Sequence, residues 1–81
     1  MKIDLTIKAS KIYKKLSIDI KKALKKQMFL LETDLRHPSL RAKKYDEAGG
    51  VWQARINDDW RFYFVIEKDI ITLIHISKHP K

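Results

Sequence analysis

The last third of the chain, residues 51–79, constrains the fold most, because its side chains alternate between two opposite chemistries. One parity is apolar and comprises Trp52, Ala54, Ile56, Trp60, Phe62, Phe64, Ile66, Ile70, Ile74 and Ile76. The other parity is polar and largely cationic and comprises Gln53, Arg55, Arg61, Tyr63, His75, Ser77 and His79. Successive side chains of a β-strand point to opposite faces of a sheet. The segment therefore predicts a small sheet with an oily face that forms a core and a cationic face that indicates an anionic ligand.

Two polar segments, Asn57–Asp59 and Glu67–Asp69, divide this region into three strands. If each segment is a three-residue loop, Arg55 pairs with Arg61, and Arg61 in turn pairs with His75. A register slip of one residue would turn every side chain to the other face and mix the two chemistries. We therefore predict a rung of these three cations across three antiparallel strands. Like charges placed opposite each other destabilise a sheet, and a bound anion would offset that cost.

The first half of the chain predicts a strand and two helices. Lys2–Ile7 alternates between apolar and polar residues, as a half-buried strand does. Lys8–Leu16 changes to helical spacing with Ser10 as a possible cap, and Ile18–Asp34 is amphipathic with Ser17 as its cap. We interpret the pair as a helical hairpin, and one long kinked helix is the alternative.

The connector between the second helix and the sheet carries few periodic signals. Pro38 ends the helix, since proline disfavours helical conformation in the residue before it. Residues 39–48 are basic and predict one helical turn followed by a loop, and Gly49-Gly50 predicts a turn. The predicted fold class is thus α+β, a single domain over residues 1–81. It consists of an N-terminal strand at a sheet edge, a helical hairpin and a three-stranded antiparallel meander, with the helices on the Trp and Phe face.

The charge balance indicates the kind of partner. Eighteen Lys and Arg residues against ten Asp and Glu give a net charge of +8. Such an excess favours nucleic acid, an anionic membrane surface or an acidic protein as partner, and the alternative is a lysine-rich protein that binds none of them. The chain has no cysteine and no apolar run of membrane-spanning length, so we expect a cytoplasmic protein without disulfides. No pair of histidines or carboxylates has metal-ligand spacing, so we expect neither metal nor cofactor.

Several short motifs follow one another along the chain. They are His37-Pro-Ser-Leu-Arg41, Lys43-Lys44-Tyr45, Val51-Trp-Gln-Ala-Arg-Ile56, Trp60-Arg-Phe-Tyr-Phe64, the apolar strand 71–76, and Lys78-His79. This run, together with the order of the elements, resembles the RelE/ParE superfamily, the toxins of type II toxin–antitoxin pairs. The resemblance covers nearly the whole chain and implies the RelE/ParE-like microbial RNase fold.

The resemblance implies two different activities. RelE-like and YoeB-like members are ribosome-dependent endoribonucleases that cut messenger RNA and thereby inhibit translation, without a metal ion or other cofactor. Their chemistry turns the 2′-hydroxyl of one nucleotide onto the adjacent phosphate. ParE-like members poison DNA gyrase instead. Members of either kind are held inactive by a cognate antitoxin protein, and a third possibility is a degenerate member that binds RNA or antitoxin without catalysis.

The resemblance also assigns catalytic residues one at a time. Arg61 matches the arginine expected to clamp the scissile phosphate, and its planar fork suits two phosphate oxygens. His79 matches the terminal histidine of YoeB-like members, a general acid. Arg55 takes the place of a lysine in RelE-like members and is assigned to phosphate stabilisation. The chain departs from the family at Gln53, where those members have a second lysine, and at Pro80, where an aromatic residue is usual. The carboxylate base of YoeB-like members has no clear counterpart.

Further contacts are predicted for RNA and for the antitoxin. RNA-binding residues are expected in the connector and on the cationic face: Lys43, Lys44, Arg41, Tyr63, Gln53, His75 and Lys78. Phe29 falls by helical angle on a basic face with Lys22 and Lys25, and an exposed phenylalanine there indicates a contact with an antitoxin. Less specific interpretations remain open. Instead of contacting an antitoxin, Phe29 would be covered by the connector. Instead of binding phosphate, Arg61 would pair with Asp58 or Asp59 across the turn. Tyr63 would be an ordinary half-exposed strand tyrosine.

Overall fold

A computed structural model describes residues 2–79 and confirms the α+β class. Its elements follow in the order β1 (Lys2–Leu5), α1 (Ile7–Lys15), α2 (Ile18–Thr33), a 3₁₀ helix (Pro38–Leu40), β2 (Lys43–Asp46), β3 (Val51–Arg55), β4 (Trp60–Glu67) and β5 (Ile70–Lys78). No helix within the described residues is both long enough and apolar enough to cross a membrane.

The two helices form the predicted hairpin because the backbone is extended between them. Leu16 and Ser17 have ψ angles of 151° and 161°, and the hydroxyl of Ser17 caps α2 by accepting from the amide of Ile20. The cap predicted for the first helix is wrong. Thr6 accepts from the amide of Ala9, and Ser10 lies inside α1, because the helix begins as soon as β1 ends.

The strands form one five-stranded sheet in the order β1-β5-β4-β3-β2. The first strand lies at an edge, as predicted, and runs parallel to β5, whereas the other neighbours are antiparallel. The antiparallel part has four strands where the sequence predicted three, since β2 forms within the segment assigned to a loop. All four residues of β2 are exposed, so no buried side chains alternate there to give a strand pattern.

The register of the first hairpin is the predicted one, and that of the second is not. Arg55 pairs with Arg61 across the three-residue turn. The second hairpin turns through two residues, and β4 and β5 shift register beyond Phe64 and Leu73, so Arg61 lies opposite Ser77. The predicted pairing of Arg61 with His75 is therefore wrong, and His75 lies opposite Tyr63.

The two-residue turn and the bulge at Ile74 together change which β5 side chains enter the core. Ile71 and Leu73 are fully buried before it, and Ile76 is buried after it. Ile70 is 45% exposed, so its assignment to the oily face is wrong, and Ile74 lines a groove on the polar face. The extra residue at Ile74 reverses the alternation.

The core lies between the helices and one face of the sheet. Its buried apolar members are Ala9, Leu16, Leu24, Leu31, Leu40, Ala54, Ile56, Phe62, Phe64, Ile71, Leu73 and Ile76. Trp52 and Trp60 are partly buried and pack against this cluster, as their parity predicts. Helices cover only this face, so the opposite face of the sheet, with Arg61 and Tyr63, is left open to ligands.

Candidate functional site

A cleft of about 340 Å³ lies at one end of the open face and is strongly cationic. Its lining residues are Arg41, Lys43, Gln53, Ala54, Arg55, Arg61 and His79. The structure thus brings together the three residues assigned to catalysis from the sequence. It also brings to them three of the residues assigned to RNA binding, Arg41, Lys43 and Gln53.

Regular strand pairing accounts for most of this cleft. Arg55 and Arg61 are direct partners across β3 and β4, and Lys43 of β2 is the partner of Gln53. Directly paired side chains lie on the same face of a sheet, so these four converge. Arg41 enters from the end of the 3₁₀ helix, where its φ of 46° is left-handed.

The turn between β3 and β4 contacts all three residues assigned to catalysis. The carboxylate of Asp58 lies 3.0 Å from Nη2 of Arg55. Nη1 of Arg61 donates to the carbonyl oxygens of Asn57 at 2.6 Å and of Asp58 at 3.3 Å. The backbone amide of His79 donates to the carbonyl oxygen of Asp59 at 2.7 Å. One short loop therefore sets the relative positions of both guanidinium groups and of the residue that carries the imidazole.

Asn57 gives this turn its shape. Its Oδ1 accepts from the amides of Asp59 and Trp60, each at 2.9 Å. Such a side-chain cap satisfies two backbone donors that a loop of this length leaves unpaired. These hydrogen bonds of Asn57 stabilise the three-residue loop that was predicted from the alternation of the two faces.

A buried glutamine connects the helices to two sides of the cleft. Gln27 of α2 is 5% exposed, and its Nε2 donates to the carbonyl oxygen of Arg55 at 2.7 Å and to that of Ser39 at 3.0 Å. Ser39 belongs to the 3₁₀ helix that precedes Arg41. A buried polar group that satisfies two carbonyls fixes the distance between the segments it joins, so Gln27 positions the backbones of both arginine-bearing segments.

Among residues 2–79, the charges of the cleft are only partly neutralised. Arg55 is 28% exposed and pairs with Asp58, whose side chain is 87% exposed. Such a pair is weak, since water screens it and an entering anion can replace the carboxylate. Arg61 donates to turn carbonyls, and it is Arg55 that pairs with the Asp58 carboxylate. Four cationic side chains around one cleft favour an anionic ligand.

Two residues assigned to RNA binding lie away from the cleft. Lys44 is the partner of Trp52, and its Nζ lies 5.1 Å from the centre of that ring, on the face that carries the helices. Lys78 is the partner of Trp60 and belongs to that same face. Lys44 and Lys78 therefore do not join the cationic cleft.

Tyr63 and His75 line a second cavity, a groove of about 440 Å³ beside the cleft. The other lining residues are Tyr45, Asp46, Val51, Ile74 and Ser77. The rings of Tyr45 and Tyr63 meet edge to face with centres 5.0 Å apart, and Gln53 donates to the Tyr63 hydroxyl at 3.0 Å. Tyr45 and Asp46 were not predicted as site residues, because the strand that carries them is exposed throughout and has no periodic pattern.

His75 is the one residue of this open face whose ionisation is clearly perturbed within the described chain. Burial, and to a smaller extent the positive charge of Lys8, lower the pKa of His75 below its ordinary value. Its Nδ1 is buried without a hydrogen-bond partner among residues 2–79. Folding therefore favours the neutral form of this imidazole.

Phe29 lies on α2, far in sequence from the sheet, and its side chain is 64% exposed. The connector does not cover it. Lys22 and Lys25 are exposed on the same stripe of the helix. This surface of α2 therefore combines an apolar ring with positive charge, as the helical pattern predicts.

Comparison with known proteins gives matches at the level of structure. No family model matches the chain, and no curated protein matches it in sequence. The fold is similar to that of the YoeB/ParE toxin from Agrobacterium tumefaciens, with a TM-score of 0.80 at 14% identity, covering 99% of this chain and 100% of that one.

Two further structures contain a second protein. One is the archaeal RelE–RelB complex from Pyrococcus horikoshii, with a TM-score of 0.79 at 13% identity and coverage of 95% and 92%. The other is the heterotetrameric YoeB–YefM toxin–antitoxin complex from Staphylococcus aureus, with a TM-score of 0.78 at 15% identity and coverage of 99% and 98%. The chain has the fold of the RelE and YoeB toxins.

Proposed function

We propose that this protein is a RelE/YoeB-like toxin of a type II toxin–antitoxin pair, a cytoplasmic, metal-independent endoribonuclease that cuts messenger RNA on the ribosome. The fold supports the toxin assignment. One observation carries the catalytic part: Arg55, Arg61 and His79 converge on a single cationic cleft. A phosphodiester is the anion that this set of groups suits best.

The proposed reaction is an attack of a 2′-oxygen on the neighbouring phosphorus. A bond forms between these two atoms, the bond to the 5′-oxygen breaks, and the product ends in a 2′,3′-cyclic phosphate. The proton of the 2′-hydroxyl passes to solvent water. Negative charge grows on the phosphate oxygens in the transition state. Arg61 and Arg55 neutralise that charge from adjacent strands, with the Asp58 carboxylate giving way to the phosphate.

His79 supplies the proton that the departing 5′-oxygen requires. Imidazole transfers protons efficiently near neutral pH. The residue is exposed at the rim of the cleft, and its backbone amide is held by the turn. Among the described lining residues no carboxylate is present, so we assign most of the rate enhancement to the cations and to this general acid.

Arg41 and Lys43 extend the cationic surface from the scissile position along the RNA. Both are exposed and line the same cleft. We assign them to the flanking phosphates, which position the strand without reading its sequence. Binding through several phosphates also predicts a steep loss of RNA affinity with added salt.

The antitoxin is proposed to be a more acidic protein that covers the stripe of α2 with Phe29, Lys22 and Lys25. An exposed ring flanked by lysines suits an amphipathic segment with acidic residues around an apolar one. Such a segment would become ordered as it binds. Replacing Phe29 by Ala should weaken the complex with an antitoxin encoded by the neighbouring gene. The matched Ile7→Ala variant should not, since Ile7 is an exposed apolar residue of α1 outside this stripe.

A non-catalytic member that binds RNA or antitoxin is the second candidate function. Two observations favour it. None of the described lining residues is a carboxylate, and the nearby Asp58 is paired with Arg55. Nη1 of Arg61 is already bonded to turn carbonyls. This candidate predicts RNA binding without strand cleavage. A ParE-like gyrase poison would instead cause DNA damage and would not require His79.

Primer extension on messenger RNA after induction tests these alternatives. The native chain should give cuts in phase with the ribosome, and His79→Gln should remove them, because the amide keeps a polar group of similar reach but cannot transfer the proton. The matched control is His37→Gln, the same change outside the cleft, which should cleave like the native chain. Ribosome-phased cuts that persist in His79→Gln would contradict the assignment of the acid. The absence of cuts in the native chain would contradict the RNase proposal.

A further inference from the structure

The groove beside the cationic cleft exists because two neighbouring strands depart from regular pairing. On β2 the register shifts between Lys44 and Asp46, and Tyr45 and Asp46 both line the open face. On β5 the register shifts after Leu73, and Ile74 and His75 both line it. The two irregularities stand on either side of the strands that carry Val51 and Tyr63. Each adds one side chain to the wall of the groove.

The groove has the composition of a small-molecule site. Two tyrosine rings, Val51 and Ile74 give an aromatic and aliphatic lining, and Asp46, Ser77 and His75 add a few polar atoms. Its volume of about 440 Å³ lies within the range of about 300–1,000 Å³ that is typical of ligand pockets.

The groove continues directly into the cleft. Gln53 lines the cleft and donates to the hydroxyl of Tyr63, which lines the groove. Arg61 and Tyr63 are two residues apart on one face of β4, a separation of about 7 Å along a strand. One end of the combined surface therefore suits a phosphate, and the other end suits a flat ring.

We propose that this groove binds the base of the nucleotide next to the cleaved phosphate, and that Asp46 favours bases that carry an amino group. This inference rests on the proposed function for its biological meaning and adds a determinant of cleavage-site preference. The rings of Tyr45 and Tyr63 supply stacking surface, which is sequence-tolerant because every base has a π-face. The carboxylate of Asp46 can only accept hydrogen bonds. The exocyclic amino groups of adenine, cytosine and guanine are donors that it can reach, whereas the N3–H donor of uracil lies between two carbonyl oxygens that repel a carboxylate, so Asp46 favours the amino bases over uracil.

Binding of single nucleotides tests the groove without the ribosome. Amide chemical shifts of the labelled chain would be followed while AMP or ribose 5-phosphate is added, two ligands that share a phosphate and a sugar and differ in the base. AMP should bind more tightly and should shift the amides of Tyr45 and His75 in addition to those of the cleft. Equal affinities, or shifts confined to the cleft, would overturn the proposal.

Tyr45 offers a variant that should not disturb folding, because its side chain is 62% exposed. Tyr45→Ala should weaken AMP binding by about fivefold or more, the lower end of the cost of removing one stacking ring, and should leave ribose 5-phosphate unaffected. Tyr45→Phe keeps the ring and should restore AMP binding. Equal AMP affinity in the native chain and in Tyr45→Ala would count against the groove.

Asp46→Asn tests the base preference. The asparagine keeps an oxygen for the amide of Gly49, which Asp46 Oδ1 now accepts at 3.2 Å, and replaces the other oxygen by a donor. The ratio of AMP to UMP affinity should fall in this variant and stay unchanged in Glu47→Gln, which removes the adjacent charge outside the groove. An unchanged ratio in Asp46→Asn would refute the role of the carboxylate. Because these measurements need no cleavage, a failure of the RNase proposal and a failure of the groove give different results.

Discussion

The cleft and the groove lie side by side on the open face of one sheet, and they are built in opposite ways. The cleft follows from regular pairing of β3 with β4, and its side chains are charged and held by a turn. The groove follows from two register shifts, and its side chains are mainly aromatic and apolar. Regular pairing brings Arg55 and Arg61 side by side on one face, whereas each register shift adds a side chain to the wall of the groove. We interpret the first as the phosphate end of a nucleotide site and the second as its base end.

The largest expected effect is a loss of RNA cleavage when an arginine of the cleft is removed. Arg61→Ala should lower RNA cleavage on the ribosome about 100-fold or more, because an oriented donor to a charged transition state is typically worth that much. The rate would be measured on programmed ribosomes, and induced growth arrest should disappear with it. Arg36→Ala, an exposed arginine outside the cleft, is the control. Full cleavage by Arg61→Ala would show that the cleft is not the phosphate end of the site.

The next effect is a lower free energy of unfolding, together with a structural change that is larger in the cleft than in the groove. Gln27→Leu keeps the approximate volume but leaves the carbonyls of Ser39 and Arg55 without their donor, at a cost of about 2 kcal/mol or more in the free energy of unfolding. Urea denaturation would measure this, with Lys26→Leu on the exposed side of the helix as control. Amide shifts of the folded variant should change around Arg41 and Arg55 and much less around His75. A neutral Gln27→Leu variant would show that the glutamine does not position the cleft.

A smaller effect is expected on the affinity of the cleft for phosphate. Asp58→Asn removes the partner of Arg55 and should tighten binding of inorganic phosphate by about two- to fivefold, as expected for loss of an exposed ion pair. Asp69→Asn makes the same change of net charge at the other hairpin turn and should leave phosphate affinity almost unchanged. Equal tightening in both variants would assign the effect to net charge rather than to the cleft.

The smallest effect belongs to the groove. The pKa of His75 is lowered on folding, mainly by burial, so the unfolded chain binds the proton more readily. Its contribution to stability is therefore complete above the ordinary histidine pKa of about 6.5 and is lost as the pH falls below that value. The fall in unfolding free energy between pH 7.5 and pH 5 should be smaller in His75→Gln than in the native chain. His37→Gln is the control, and an identical fall in native and His75→Gln proteins would contradict the prediction.

The sequence predicts the cleft better than the groove for a physical reason. Parity along β3 and β4 is unambiguous, since Arg55 and Arg61 fit the face pattern in only one register. In β5 both parities are apolar, with Ile70, Ile71, Leu73, Ile74 and Ile76 close together, so the pattern contains no sign of where the alternation reverses. Arg61 pairs with Ser77 in place of His75 because two changes add up: the turn has two residues where three were predicted, and the strand has one extra residue at Ile74.

The edge strand and the helix cap were missed for other reasons. β2 is exposed throughout and is held by backbone pairing with β3. Backbone pairing leaves no pattern in the side chains from which the strand could be predicted. Thr6 and Ser10 are both hydroxyl residues near the start of α1, and the end of β1 decides which of them caps the helix. Elements with a buried face were thus predictable, and boundaries set by neighbouring backbone were not.

The loop Asn57–Asp59 has a consequence for how this protein tolerates change. Because it touches Arg55, Arg61 and His79 at once, an inserted or deleted residue there would displace the three together, and no single compensating substitution could restore them. We expect variation in loop length at this position to be more harmful than most replacements of the individual side chains. The number of residues between Trp52 and Trp60, which flank the loop, therefore sets the distances between the side chains of the cleft.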